Sequence, residues 1–174
     1  MMEKQIEQQE GNDQHLAGVE TDKVVQFLTF KLNEEEYGVS ILNIKEIVDY
    51  GHVTKVPMMT DFIAGVINLR GSVVPVVDLA LRFSKIPSIR TKRSSIVILE
   101  IEHESKKIEI GITVDVVDEV LDIVPNEIEV TPSFGTKIRT DFISGMGKVD
   151  GQLLVLLNIE KILDIEELSA VEEQ

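Results

Sequence analysis

From residue 24 onward the chain is a series of short apolar runs, most of them too short and too alternating for helices. Residues 24–32, Val-Val-Gln-Phe-Leu-Thr-Phe-Lys-Leu, offer Val25, Phe27 or its neighbour Leu28, Phe30 and Leu32 for burial, which predicts a strand. Residues 33–36 read as a turn, and 37–39 resume the strand. Ser40 is placed to cap a short helix in which Ile41, Ile44, Ile47 and Val48 share one face and Lys45 and Glu46 the other. Residues 53–56 predict a short strand ended by Pro57, and Thr60 or Asp61 can start a helical turn. Two further strands, 64–69 and 72–77, flank Arg70-Gly71, where glycine supplies the positive φ of a tight turn. Pro75 has no N–H to donate, so its strand is expected to have a free edge there. Residues 79–83 predict a short helix.

The second half repeats the style. After a linker at 84–93, residues 94–102 and 108–113 predict a hairpin around 103–106. An apolar segment at 120–124 closes at Pro125, and a strand at 128–130 is stopped by Pro132. Residues 142–149 and 153–157 form another predicted hairpin around Asp150-Gly151, followed by a helix at 159–163.

The resemblance between the halves extends to individual residues. Phe62-Ile63-Ala64-Gly65 stands 80 positions before Phe142-Ile143-Ser144-Gly145, and the same offset places Arg70-Gly71 on Asp150-Gly151. Upstream, Tyr37-Gly38-Val39-Ser40-Ile41 lies 73 positions before Ile110-Gly111-Ile112-Thr113-Val114, which places Ile44 on Val117, Glu46 on Glu119 and Asp49 on Asp122. Val53-Thr54-Lys55-Val56-Pro57 matches Ile128-Glu129-Val130-Thr131-Pro132 at offset 75. Any two hairpins share a turn glycine, but three blocks in one order with drifting offsets indicate a duplicated unit with loop insertions. Each unit has about five short strands, and a sheet this small removes its edges best by closing into a barrel. The predicted architecture is mainly β: two packed five-stranded barrels with a few short helices. The first unit is expected at about 37–83 and the second at about 94–163, with strand 24–32 available to complete the second.

Charge bears on function mainly through where it sits. The net charge is −14, yet residues 1–22 carry six acids against Lys4, and residues 160–174 carry six against Lys161. The segment 1–22 is polar, acidic and expected to be disordered, and 164–174 reads as an acidic tail or a helix end. Such tails repel polyanions, and aromatics make up only 5% of the chain, so a nucleic-acid-binding small barrel is a weak alternative. The basic residues Arg82, Lys85, Arg90, Lys92 and Arg93 read as a solvated linker. Residues 1–10 contain no signal-peptide apolar core, and no apolar run approaches the roughly 18 residues of a membrane span.

No catalytic constellation emerges, so no enzyme is expected. The chain has no cysteine, which removes disulfides, thiolate nucleophiles and sulfur-ligated metals, and which fits the cytosol. His15, His52 and His103 have no metal-ligand spacing. Asp115, Asp118, Glu119 and Asp122 fall at helix-like spacing and read as a solvated face. Gly145-Met146-Gly147 begins a dinucleotide fingerprint but has its third glycine one place late and no strand–helix unit after it. Arg70 stands out instead. At a hairpin tip it is either a solubility charge or an anchor, to a partner or to an internal acid such as Glu46. The second half has Asp150 there, so the fold does not require the arginine.

At these residues the sequence resembles the CheW family of bacterial chemotaxis coupling proteins. The resemblance runs from about Val24 to Leu163 and is strongest in residues 62–71, followed by Val74-Pro75-Val76-Val77-Asp78-Leu79; it also includes Glu36-Tyr37-Gly38-Val39, Asn43-Ile44-Lys45-Glu46-Ile47, the segment 111–121 and Asp150-Gly151 through Lys161. It implies two SH3-like barrels packed together over residues 23–163. It also implies a non-enzymatic adaptor, without cofactor or metal, that tethers the cytoplasmic tips of methyl-accepting chemoreceptors to the histidine kinase CheA. Such a protein is cytoplasmic, is recruited to receptor arrays at the inner membrane and does not insert into it. A chemotaxis-like pathway with a different output stays open. Receptor contacts of the family lie in the groove between the barrels and carry over onto Ile44 and Glu46 in the first unit and Val117 and Val120 in the second, and Arg70 carries over as the functional arginine. The kinase surface is placed on the second barrel.

Overall fold

The computed structural model describes residues 23–131 and 138–169. The segments 1–22 and 170–174 and Pro132 lie outside the described residues. Eleven strands run in chain order: β1 Val25–Leu32, β2 Glu35–Ser40, β3 Ile44–Asp49, β4 Ile63–Leu69, β5 Ser72–Val77, β6 Ser95–His103, β7 Lys106–Val114, β8 Val116–Ile123, β9 Ile128–Glu129, β10 Ile143–Val149 and β11 Gln152–Leu157. Three short helices are α1 Leu79–Ser84, α2 Ile159–Ile162 and α3 Ile165–Ser169.

The strands form a six-stranded sheet, β8-β1-β2-β11-β10-β9, and a five-stranded sheet, β3-β6-β7-β5-β4. The first therefore has one strand more than expected. Its extra member, the two-residue β9, pairs Glu129 with Met146, and the repeat offsets map that pair onto the isolated Thr54–Val66 bridge of the other sheet. That bridge is all that forms of the strand predicted at 53–56.

The two sheets do not follow the contiguous units 37–83 and 94–163. Hairpin β1–β2 joins β8–β11, and hairpin β6–β7 joins β3–β5. Each half lends its first hairpin to the other half's sheet through a parallel pairing: β2 beside β11, β7 beside β5. The alternation along each strand explains how the exchange is held. On β6, Ile96 and Ile98 fill a small core with Ile67, Val74 and Val76. The intervening Val97, Leu99 and Ile101 face a central core shared with Leu28, Phe30, Leu32, Tyr37 and Val39 of the other sheet. A third cluster, Phe27, Ile123, Leu154 and Leu156, lies inside the six-stranded sheet. There Ile123 of β8 approaches Gly147 of β10 so closely that a Cβ on the glycine would meet its Cδ1 at 3.0 Å, which brings the two ends of the sheet together as a barrel.

One predicted helix is a strand. Ser40 does cap a turn, accepting from Leu42 N–H at 3.2 Å, but the turn is a single 3-10 turn, Ile41–Asn43. From Ile44 the chain is strand β3, paired antiparallel to β6. Its β-branched residues suit a pleated, half-buried surface, and burial alternates along it. The acidic residues 118, 119 and 122 likewise lie on strand β8, not at helical spacing. Pro75 behaves as its chemistry requires: β5 pairs with β7 only from Val76 onward, whereas the equivalent β11 already pairs at Val155. No helix among the described residues is long and apolar enough to cross a membrane.

Candidate docking surface

Strands β3 and β8 each form one end of a sheet, and they are counterparts in the repeat. Both carry a β-bulge at the same place. Between Ile44 and Ile47, three steps on β3 oppose two on β6, from Leu99 to Val97. Between Val117 and Val120, three steps on β8 oppose two on β1, from Phe30 to Leu28. The extra residue twists the strand and re-aims side chains, and Glu46 and Glu119 sit in these bulges.

The two bulges are secured differently. In the first half, Glu46 accepts an ion-paired hydrogen bond from Arg70 Nη2. Arg70 reaches it from the β4–β5 turn, where φ is 53°. Its side chain stays 71% exposed while that of Glu46 is 21% exposed, so the pair lies at the surface with the arginine largely open to solvent. In the second half, Asp150 holds the same turn conformation at φ 50° but is itself an acid and gives Glu119 no cation. There the buried Thr29 secures the bulge: its Oγ1 donates to the Glu119 carbonyl at 2.9 Å and accepts from the Glu119 N–H at 3.1 Å.

Ile44 and Val117 are both half-buried and both pack on the rim of the central core between the sheets. Val120 is 50% exposed and Glu46 is half-buried, and the two lie in different sheets: Glu46 belongs to β3, Val120 to β8. The four residues thus lie on two equivalent edge strands. The repeat also places Ile47 on Val120, and Ile47 is 42% exposed, so each edge strand presents one apolar side chain to solvent. The sequence pattern places Ile47 only on the apolar face of a helix that does not form.

Arg82 is the larger omission. Far from being a solvated linker charge, its side chain is 3% exposed. Nε donates to the Ile162 carbonyl at 2.9 Å, and Nη2 donates to the Lys161 carbonyl at 3.3 Å and the Glu167 carboxylate at 2.7 Å. The guanidinium lies 5.0 Å from the ring centre of Phe62 and 4.7 Å from that of Phe142, which are themselves repeat counterparts. Arg139 also pairs with Glu167 at 2.8 Å and with Asp141, and these contacts hold both carboxyls below the usual range. A signal was available: the 80-residue offset puts Arg82 on Ile162, an apolar position.

Around this core are two grooves of about 300 Å³ that are also counterparts. One is lined by Ile63, Pro75, Ile110, Met58 and Leu168, the other by Ile143, Val155, Tyr37, Leu32 and Phe83. Burial, with Glu35 nearby, pushes the Tyr37 phenol up to about 12, so it stays protonated. Among the described residues, no group of three or more carboxylates and imidazoles is placed to hold a metal. Asp115 is occupied by the Asn33 N–H at 2.8 Å, and Asp122 by Gln26 at 3.0 Å.

Two interlocked barrels whose distinctive features are exposed apolar edge residues and an open surface ion pair define a scaffold that docks other proteins. Comparison with known sequences and structures is specific about which one. The model of a family described as "CheW-like domain" matches residues 26–167. The chemotaxis protein CheW of Klebsiella aerogenes is 35% identical over 147 residues, covering 84% of this chain and 86% of the relative. That of Thermotoga maritima is 35% identical over 153 residues, covering 86% and 93%. A crystal structure of the scaffolding protein TtCheW from Thermoanaerobacter tengcongensis superposes with a TM-score of 0.71 at 36% identity, covering 80% of this chain and 87% of that one. The chain belongs to the CheW-like family, and its role is that of an adaptor in chemotaxis signalling.

Proposed function

We propose that this chain couples the cytoplasmic tips of methyl-accepting chemoreceptors to the histidine kinase CheA, as a non-enzymatic scaffold in the cytoplasm that is recruited to receptor arrays at the inner membrane. The receptor is bound along the edge strands by Ile44 and Glu46 from one half and Val117 and Val120 from the other, with Arg70 as the functional arginine. The observation that carries this reading is the placement of Ile44 and Val117, counterparts in the repeat, on the rim of one central core. A receptor tip is a helical hairpin, and an amphipathic helix lays its apolar face onto such a surface. Each well-buried isoleucine or valine contributes about 1.5–3 kcal/mol to such an association. The Glu46–Arg70 pair shapes the polar margin of that surface.

The test is co-sedimentation of the full chain with receptor signalling fragments and kinase. The chain is expected in a ternary complex with both. Ile44→Asp and Val117→Asp are each expected to remove the receptor while circular dichroism stays native. A chain that binds neither partner, alone or together, ends the adaptor reading for these partners. Binding untouched by both aspartates moves the receptor surface elsewhere.

A further inference from the structure

The linker between α1 and β6 differs in charge from the rest of the chain. Residues 85–93 carry Lys85, Arg90, Lys92 and Arg93 and no acid, in a chain of net charge −14. The strip is held in shape at two points. Ser88 donates to the Asp78 carboxylate from both its N–H, at 3.1 Å, and its hydroxyl. Arg90 Nη2 donates to the Tyr50 carbonyl at 3.0 Å, with its guanidinium 4.7 Å from the centre of the Tyr50 ring. On this anchored strip, Ile86 is 65% and Ile89 79% exposed. Lys85, Lys92 and Arg93 form no ion pair with any described residue, and Asp49 is the one acid lining the depression beside Arg90, Thr91 and Lys92. A fixed strip that presents two isoleucines among unpaired cations fits an acidic segment with apolar residues of its own.

We propose that strip 85–93 is a docking surface for residues 1–22 of the same chain. That segment carries Glu3, Glu7, Glu10, Asp13, Glu20 and Asp22 against Lys4, with Met1, Met2, Ile6, Leu16 and Val19 spaced among the acids. It can therefore match both the cations and the isoleucines. Reach is no obstacle: 22 residues span up to about 75 Å, against a diameter of roughly 40 Å for a fold of this size. Tethering gives an effective concentration in the millimolar range, so a weak, salt-sensitive contact is enough. The acids near the other end are less suited. Glu167 is committed to Arg82 and Arg139, and Asp164 accepts the Glu166 N–H. This inference does not depend on the coupling function.

Zero-length carbodiimide cross-linking of the full chain, read by mass spectrometry, tests it. At low salt, Lys85 and Lys92 are expected to join carboxylates of residues 1–22 at least several-fold more often than Lys106 and Lys107 do. In 0.5 M salt, where screening acts within about 4–5 Å, that preference is expected to vanish. Arg93→Glu and Ile89→Ser leave both reporter lysines in place and are each expected to lower the yield several-fold with an unchanged circular dichroism spectrum. Mixing equal amounts of isotopically light and heavy chains separates sources: near-absence of light–heavy products supports docking within one chain, and light–heavy products approaching the half that random pairing between chains gives overturn it. Equal labelling of all four lysines, cross-links to Glu172 or Glu173 instead, or none at all also overturn it.

Discussion

Arg82 donates its Nε–H to the carbonyl of Ile162, the residue that stands in its own place in the second repeat. The contact links the two halves at equivalent positions. On either side the symmetry is kept: Asp78 N–H donates to Phe62 carbonyl at 2.8 Å, and Asn158 N–H to Phe142 carbonyl at 2.7 Å. One half supplies an arginine and the other the carbonyls and the carboxylate that satisfy it. A duplicated unit has thereby gained an asymmetric lock between its copies.

Removing that lock is expected to be costly. Arg82→Ala leaves the Ile162 and Lys161 carbonyls short of a donor and opens a void between Phe62 and Phe142. Glu167 keeps its pair with Arg139, so the loss comes from the void and the two carbonyls, and about 2–5 kcal/mol is expected. Arg82→Met refills the void without the charge and is expected to lose less. Urea unfolding of both variants checks the order, and a Met variant as unstable as the Ala variant would assign the effect to the lost charge and hydrogen bonds and not to the void.

The same network sets an acid limit. Arg139 first, and Arg82 after it, hold the Glu167 carboxyl below its ordinary 4.5. The native state therefore binds that proton less readily than the unfolded chain does. The stabilisation is complete above pH 4.5 and is lost as pH falls through the lower native value. Glu167→Gln is expected to lower the melting temperature at pH 7 and to flatten its fall below pH 4.5. Melting temperature followed from pH 7 to pH 3 in both proteins gives the comparison.

Thr29 makes a narrower prediction. Its hydroxyl closes the bulge at Glu119, and Thr29→Val leaves an N–H and a carbonyl there unpaired. The expected cost is about 1–3 kcal/mol. The counterpart change, Ile98→Val, deletes one methylene and no hydrogen bond, and is expected to cost about 0.5–1.5 kcal/mol. Amide hydrogen exchange in β8 should accelerate in the first variant and not in the second.

Arg70 is expected to separate stability from assembly. Its pair with Glu46 is largely exposed on the arginine side, so Arg70→Ala should change the unfolding free energy by only about 0–1 kcal/mol. Ternary-complex yield is nevertheless expected to fall. A variant that unfolds under the same conditions would make Arg70 a structural residue.

Much of this protein is legible in its order of residues. The apolar runs predict most of the strands, because alternation with a period of two is a local property of sequence. The turn pairs Arg70-Gly71 and Asp150-Gly151, the cap at Ser40 and the free edge at Pro75 follow from single-residue chemistry. The repeat and the family resemblance follow from residue matches alone.

What tertiary structure alone decided is which runs lie beside which. Ile44 to Asp49 satisfy a helical pattern as well as a strand, and only pairing with β6 settles it. The exchange of hairpins between sheets rests on two parallel pairings between strands far apart in the chain, which leave no local trace. Burial of Arg82 depends on carbonyls 79 and 80 residues away, so its charge reads as solvated until those partners are in place. Sequence by itself determined the two related halves and their family; the fold determined how the halves interlock and why they differ.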